Sequence, residues 1–369
     1  MKVPYVDLAF QHQLIKKELL DAVDGVLNSG QFILGPEVTE FERQFVLLSG
    51  SAYALAVHSG TDALILALRV LDLKPGDEVI TVANSFVTTA SAIIAVGAKP
   101  VFVDVKDDYT IDPALVAKAI TKKTKAILPV HLTGKPCAMG ELVSLAQKHK
   151  LHIIEDCAQA VGATYKKKNV GSFGVLGCFS LHPLKTLNAC GDGGVIVTDD
   201  AKLYQRLKIL RENGLASPNE CVAWSGNSRL DTIQAAILLV KLKYLHEWTK
   251  KRIEYSRIYQ KKLSQVRQVR VPVDKSDERA VYHTFVIEAE KRDALKEYLE
   301  ANGVGTKIHY AVPIHLQPTA KNLGYKKGSL PVTERQAGRI LSLPIYHHLT
   351  EEQLDYVVSC IADFYRGKV

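Results

Sequence analysis

Short, β-branched apolar runs alternate with amphipathic segments along most of this chain, and no other feature restricts its fold as much. Residues 52–57, 78–82, 99–105, 126–130, 152–155, 177–181 and 194–198 are mostly apolar on both faces, the pattern of strands covered by helices on two sides. Residues 61–71, 88–96, 112–120, 139–149 and 200–211 carry helical periodicity between several of them. The alternation predicts an α/β fold with a seven-stranded, mostly parallel sheet and helices on both faces. Gly193 and Gly194 follow Lys185 too closely for a helical crossover. The sixth and seventh strands are therefore joined by a loop, and one of them is expected to run antiparallel.

Residues 10–26 are helical in pattern and end near Ser29-Gly30. Residues 230–246 form a strong helix, with 247–263 as its continuation or partner. From about Val271 the texture changes: 281–288 and 305–310 read as strands, 292–302 as a helix and 350–366 as a closing helix. This divides the chain into a large domain, residues 1–246, and a smaller α+β C-terminal domain, residues 247–369.

With 369 residues, 47% of them hydrophobic and 23% charged, the chain can bury a large core. It holds no apolar run long enough for a membrane span, and its first residues lack the apolar stretch of a signal peptide. The six cysteines, Cys137, Cys157, Cys178, Cys190, Cys221 and Cys360, form no CxxC pair, which predicts no metal site and reduced thiols in a cytoplasm. The net charge of +8 comes from scattered clusters such as Lys166-Lys167-Lys168 and Lys250-Lys251-Arg252. No basic helix or aromatic-studded groove accompanies them, so nucleic acid is not an expected partner. A mild positive field suits a phosphorylated small substrate.

Four features carry chemistry. Lys185 lies shortly after Pro183 and just before Gly191, Gly193 and Gly194, between two apolar runs. A Lys near apolar walls loses charge readily, and the neutral amine forms Schiff bases. His58-Ser-Gly-Thr-Asp-Ala-Leu64 follows a strand and opens a helix. It is either an ordinary helix cap or a phosphate cradle. Asp156 ends the fifth strand, where it either caps the next segment or holds a protonated ring nitrogen. Phe86, after the second strand, is either a core residue or a stacking platform. Phosphate anchor, aromatic platform, carboxylate and Schiff-base lysine together are what pyridoxal phosphate (PLP) requires.

With these motifs in place the chain resembles the DegT/DnrJ/StrS family of PLP-dependent sugar aminotransferases, of the type I, aspartate aminotransferase-like fold. The resemblance runs through Ser29-Gly-Gln-Phe-Ile-Leu-Gly-Pro36, Ser59-Gly-Thr-Asp-Ala-Leu64, Glu155-Asp-Cys-Ala-Gln159, Ser180-Leu-His-Pro-Leu-Lys185, Gly191-Asp-Gly-Gly194, Asn227-Ser-Arg-Leu-Asp231 and Leu341-Ser-Leu-Pro-Ile345. It implies that Lys185 binds the cofactor aldehyde and moves the proton. Asp156 would hold the pyridinium, Gln159 would contact the ring hydroxyl side and Phe86 would stack. Gly60, Thr61 and Ser180 would bind the phosphate, with Asn227 reaching it across a homodimer interface. His309, Tyr310 and His315 are candidates near the sugar, with packing roles as the alternative. Arg229 and Asp231 would form a structural ion pair. The implied reaction takes an amino group from L-glutamate, through the pyridoxamine phosphate (PMP) form, to a nucleoside-diphosphate-linked keto-deoxysugar. A cyclitol acceptor and a sugar dehydratase of the same family are the alternatives, the latter disfavoured because such members lack the lysine. A non-enzymatic regulator is the remote one. Two departures stand out: Val161 where many members carry His, expected close to the cofactor, and Thr186 where Asn is common.

Overall fold

A computed structural model describes residues 1–367, and its centre is a seven-stranded sheet. The strands are β1 (Tyr53–Val57), β2 (Glu78–Val82), β3 (Lys99–Val103), β4 (Thr124–Ile127), β5 (His152–Asp156), β6 (Leu176–Ser180) and β7 (Gly194–Thr198). Their spatial order is β1-β7-β6-β5-β4-β2-β3. Neighbours from β6 to β3 are parallel. Strand β7 runs against both β6 and β1, as the short Lys185–Gly194 spacing requires.

Both faces of the sheet are covered, and the two-residue period sorts the side chains between them. Leu55, Val57, Cys178 and Ile196 enter one apolar cluster. Ala54, Ala56, Phe179, Val195 and Val197 enter another, against Phe41 and Phe45. The second cluster is built by a helix that the alternation pattern did not reveal, α3 (Pro36–Ser49), which follows α1 (Leu8–Leu14) and α2 (Lys16–Ser29). Pro36 opens α3, and Gly30 and Gly50 end α2 and α3 in the left-handed conformation, the usual use of a residue without Cβ. The predicted 10–26 helix is thus two helices, parted at Ile15.

The crossover helices are α4 (Gly60–Arg69), α5 (Thr88–Ala95), α6 (Pro113–Ala119) and α7 (Met139–His149), with α8 (Ala201–Arg211) after β7. Next comes α9 (Thr232–Leu263), a single helix of 32 residues. It runs unbroken through residue 246 because no Gly or Pro interrupts it. Leu238 and Leu245 pack into the large-sheet cluster, while Tyr259 and Leu263 pack into a third cluster. That third cluster lies on a small antiparallel sheet of β8 (Val269–Arg270), β9 (Phe285–Ala289) and β10 (Ile340–Leu343), in that order. Helices α10 (Arg292–Ala301) and α12 (Glu351–Arg366) cover it, with α11 (Pro331–Ala337) between them in sequence. Two strand expectations need correction. Residues 305–310 form no strand: Lys307 makes one bridge to Ser342 and the chain then leaves the sheet. The predicted 281–288 strand begins only at Phe285, because Tyr282 adopts a left-handed conformation with φ 50°.

The ends of β1, β5 and β6 that carry the chemical motifs converge where α4 begins. Gly194 allows this: a Cβ there would lie 2.3 Å from the Ser59 carbonyl oxygen and 2.9 Å from the Gly60 nitrogen. Gly194→Ala is expected to force β7 and α4 apart, destabilising the protein by about 1–3 kcal/mol. Urea unfolding of the variant against the parent checks this, and an unchanged midpoint contradicts it.

Candidate active site

The first two N–H groups of α4 are free. Ser59 caps the helix by accepting from the Asp62 N–H through its hydroxyl, 3.1 Å, and from the Ala63 N–H through its carbonyl, 3.0 Å. Among the described residues nothing accepts from the Gly60 or Thr61 N–H. The Ser180 side chain lies so close that a Cβ on Gly60 would meet its Cβ at 2.6 Å. Unfilled donors at a helix N-terminus, beside a hydroxyl, form an anion cradle.

β5 ends in two carboxylates that point to opposite faces. Glu155 is fully engaged: its oxygens accept from the N–H groups of Gly171, Phe173 and Gly174 at 2.7–2.8 Å and meet His131 Nε2 at 3.0 Å. Since His131 Nδ1 accepts from the Cys137 N–H at 3.0 Å, its Nε2 carries the proton that Glu155 receives. Asp156 is different. One oxygen accepts from the Ala158 N–H at 3.1 Å, the other from the Thr89 hydroxyl at 2.9 Å. Thr89 has one proton to give, so Ser85, 2.8 Å away, donates to it. Among the described residues no cation lies within 4.0 Å of the buried Asp156 carboxylate. Burial pushes its pKa up, opposed by the Ala158 N–H, Thr89 and the charges of Lys185 and His131.

Lys185 follows β6 in a turn closed by its own N–H to His182 O, 2.8 Å, and by Asn188 Nδ2 to its carbonyl, 2.8 Å. It too has no ion-pair partner among the described residues. Protein atoms crowd the amine while the side chain stays partly open to the cavity. Burial pushes it down to about 8, with Asp156 opposing.

These groups line one cavity of about 310 Å³. Phe86 stands on its wall, 55% exposed, with its ring 5.9 Å from that of Tyr310. Gln159 accepts from the Thr133 N–H at 2.7 Å, which turns its Nε2 towards the Tyr310 hydroxyl, 3.4 Å away. His309 Nδ1 meets Ser342 Oγ at 2.9 Å, and burial with the charges of Lys185 and Lys307 pushes it down to about 4. Gly60, Thr61, Phe86, Asp156, Gln159, Ser180, Lys185, His309 and Tyr310 are thus brought together as the sequence predicted.

The remaining candidates lie outside this cavity. His315 does not line the cavity; its Nε2 meets Glu334 at 3.0 Å, and Glu334 in turn holds the N–H groups of Gly328 and Leu330. That histidine fixes a loop. Val161 is buried in the apolar cluster under the sheet and is not on the cavity wall. Arg229 and Asp231 form no ion pair within 4.0 Å among the described residues. Arg229 bridges Val57 and Asp231 bridges Ile33 through backbone. Asn227 is exposed, outside the cavity of its own chain, with its side-chain oxygen on the Arg229 N–H at 3.2 Å. Sequence reasoning missed Tyr5, Ser85, Thr89, His283 and Arg252 on or behind the wall. Arg252 was legible by spacing: it lies on one stripe of α9 with Leu245, Trp248, Ser256 and Tyr259, all buried.

The cavity therefore holds three unmet demands: N–H donors without an acceptor, a buried carboxylate without a cation, and a crowded amine without an anion. A phosphate, a protonated ring nitrogen and an aldehyde answer them, so the residues fit PLP.

Comparison with known proteins agrees. Residues 13–362 match the model of the DegT/DnrJ/EryC1/StrS aminotransferase family. The chain is 42% identical to a protein of Geobacillus stearothermophilus named pleiotropic regulatory protein, covering 99% of each. It is 40% identical to the dTDP-3-amino-3,4,6-trideoxy-α-D-glucose transaminase of Streptomyces venezuelae, covering 98% of this chain and 96% of that one. The crystal structure of S. venezuelae DesV in complex with a ketimine intermediate superposes with a TM-score of 0.96 at 40% identity, covering 98% of each chain.

The depressed Lys185 is testable without cofactor. Below pH 8 its neutral fraction falls tenfold per unit, and above it the fraction saturates. Competitive acylation of the apoenzyme, read by peptide mass spectrometry, is expected to show half-maximal Lys185 reactivity near pH 8, against about 10.4 for exposed lysines. A midpoint shared with the exposed lysines contradicts the assignment.

Proposed function

This chain belongs to the DegT/DnrJ/EryC1/StrS aminotransferase family, and on that premise we propose that it moves an amino group from L-glutamate to a keto sugar linked to a nucleoside diphosphate. It is a PLP-dependent transaminase, using the cofactor in its PLP and PMP forms. The observation that carries the finer reading is the pairing of two uncompensated charges, Asp156 and Lys185, in one cavity. A regulator would need neither.

The bound cofactor supplies the electron sink for the carbon that loses its proton. The chain's residues do the rest. The Gly60 and Thr61 N–H groups with Ser180 would hold the phosphate, and Phe86 would stack on the ring. Asp156 keeps a proton on the ring nitrogen, because a buried carboxylate held by only two donors gains most from a charged third partner. Gln159 directs its amide to the ring hydroxyl side. Lys185 would hold the cofactor through its aldehyde and, as a neutral amine, would take the proton from the donor carbon and return it as an ammonium. A pKa near pH 8 makes both forms available. His309 and Tyr310 face the sugar.

The reading includes a homodimer. Phe32, Ile33, Leu184 and Trp224 are exposed apolar side chains, Trp224 at 93%, and Asn227 lies three residues beyond Trp224. A second copy covering them would bring Asn227 to the neighbouring phosphate. It also includes two domains, 1–246 and 247–369, sharing α9. A cytoplasmic location is supported by the absence of disulfides among the described residues. Among these residues no helix is long and apolar enough to cross a membrane.

Adding L-glutamate alone to the PLP form is expected to replace the visible cofactor band with a shorter-wavelength one, and the keto sugar to restore it. Lys185→Ala is expected to abolish turnover, and Asp156→Asn to slow the glutamate step by about 100-fold or more. Full turnover by Lys185→Ala would sink the reading.

A further inference from the structure

One charged group on the cavity wall has no task in the scheme above. Arg252 is 6% exposed and projects from α9 into the same cavity as Lys185. Its Nη1 donates to three backbone carbonyls, Tyr282 at 3.2 Å, His283 at 3.2 Å and Ile345 at 2.8 Å. Its Nε is buried with no acceptor, and among the described residues nothing accepts from its Nη2. No carboxylate among them comes within 4.0 Å, although Arg211, buried to a similar degree, pairs with Glu42 at 2.8 Å. An arginine presents a planar fork of donors, and a buried charge is retained only where something compensates it. Here one edge of the fork is engaged and the Nε–Nη2 edge is not.

We infer that Arg252 is the anchor for a carboxylate of the amino donor, which makes the cavity selective for an acidic amino acid over a plain amine. The inference rests on the aminotransferase reading and names the recognition element it lacks. Three features of the cavity favour this anion over the other two that the reaction brings. The cofactor phosphate would have its own donors in the Gly60 and Thr61 N–H groups and the Ser180 hydroxyl. The diphosphate of a keto sugar is bulky and sits away from the reacting carbon, whereas Arg252 is sunk among carbonyls with a single edge unengaged. A donor amino acid carries its α-carboxylate on the reacting carbon itself, and glutamate carries a second on a short flexible chain. Both carboxylates enter with the reacting carbon the cavity that Arg252 and Lys185 line together. A carboxylate also matches the guanidinium edge with two parallel hydrogen bonds, which a lysine at this position cannot reproduce.

Removing one partner of a buried charge pair typically costs 2–5 kcal/mol, so Arg252→Gln is expected to weaken L-glutamate by about 100-fold. The test measures the two half-reactions of the holoenzyme separately by the cofactor absorbance. One takes the PLP form with L-glutamate, its α-amide or its γ-amide, and the other takes the PMP form with the keto sugar. The wild type is expected to prefer L-glutamate strongly over one of the two amides, and Arg252→Gln to lose that preference while its keto-sugar step falls far less. Arg252→Lys is expected to retain part of the preference. Which amide is rejected tells which carboxylate Arg252 holds. Equal loss in both half-reactions, or loss confined to the keto sugar, overturns the inference. So does a wild type that accepts both amides as readily as L-glutamate, a result that needs no variant to fold. A wild type that reacts with glutamate but does not discriminate leaves the aminotransferase reading standing. One that reacts with no amine removes both.

Discussion

The site depends on one carboxylate being buried and left short of a partner. Asp156 has two donors, Ala158 N–H and Thr89 Oγ1, and no cation within 4.0 Å among the described residues. Its neighbour Glu155 has four partners. The difference follows from strand geometry: adjacent residues of β5 face opposite sides, so one carboxylate ties down the 171–174 loop and the other is delivered to the cavity. An uncompensated buried charge is costly in the empty protein. A cofactor bearing a positive ring nitrogen relieves that cost, and the binding energy it gains is the energy the apoprotein lacks. The same holds for the free N–H groups of Gly60 and Thr61.

Keeping those demands unmet requires a close-packed frame. Gly194 lets β7 approach the start of α4, and Gly60 lets Ser180 approach the same turn. Antiparallel β7 lies between β1 and β6, which places the motifs that follow β1 and β6 on one edge of the sheet. Helix α9 then ties that edge to the small sheet, carrying Arg252 from the large cluster towards Tyr282, His283 and Ile345.

Much of this was legible in the sequence. Strands buried on two faces are short and continuously apolar, and those of the large sheet were found to within two residues, except that β4 (Thr124–Ile127) ends three residues before the expected 126–130 run does. Lys185, Asp156 and the Ser59–Gly60–Thr61 turn were visible because each breaks an apolar pattern at the end of a strand. Helix α3 was equally readable, with Pro36 at its start and Val38, Phe41 and Phe45 on one side, but its neighbourhood was taken only as a motif. The expected boundary at residue 246 falls inside α9, near where the helix exchanges the large-sheet cluster for the small-sheet one. His315 was misplaced because a histidine shows its chemistry in the sequence and its partner, Glu334, only in the fold. Arg252 was missed because it stands in a run of cations, Lys250-Lys251-Arg252, of which it alone turns inward, although the buried stripe of α9 marks it. Asn227 faces outward, away from the cavity of its own chain.

The central claim is that Asp156 holds a proton on the cofactor's ring nitrogen. The direct measurement is the ¹⁵N chemical shift of that nitrogen in holoenzyme loaded with ¹⁵N-labelled PLP, followed from pH 6 to pH 9, alongside Asp156→Asn. The account predicts a protonated shift across the whole range in the parent and an unprotonated one in the variant. An unprotonated nitrogen in the parent, or a protonated one in the variant, would contradict it.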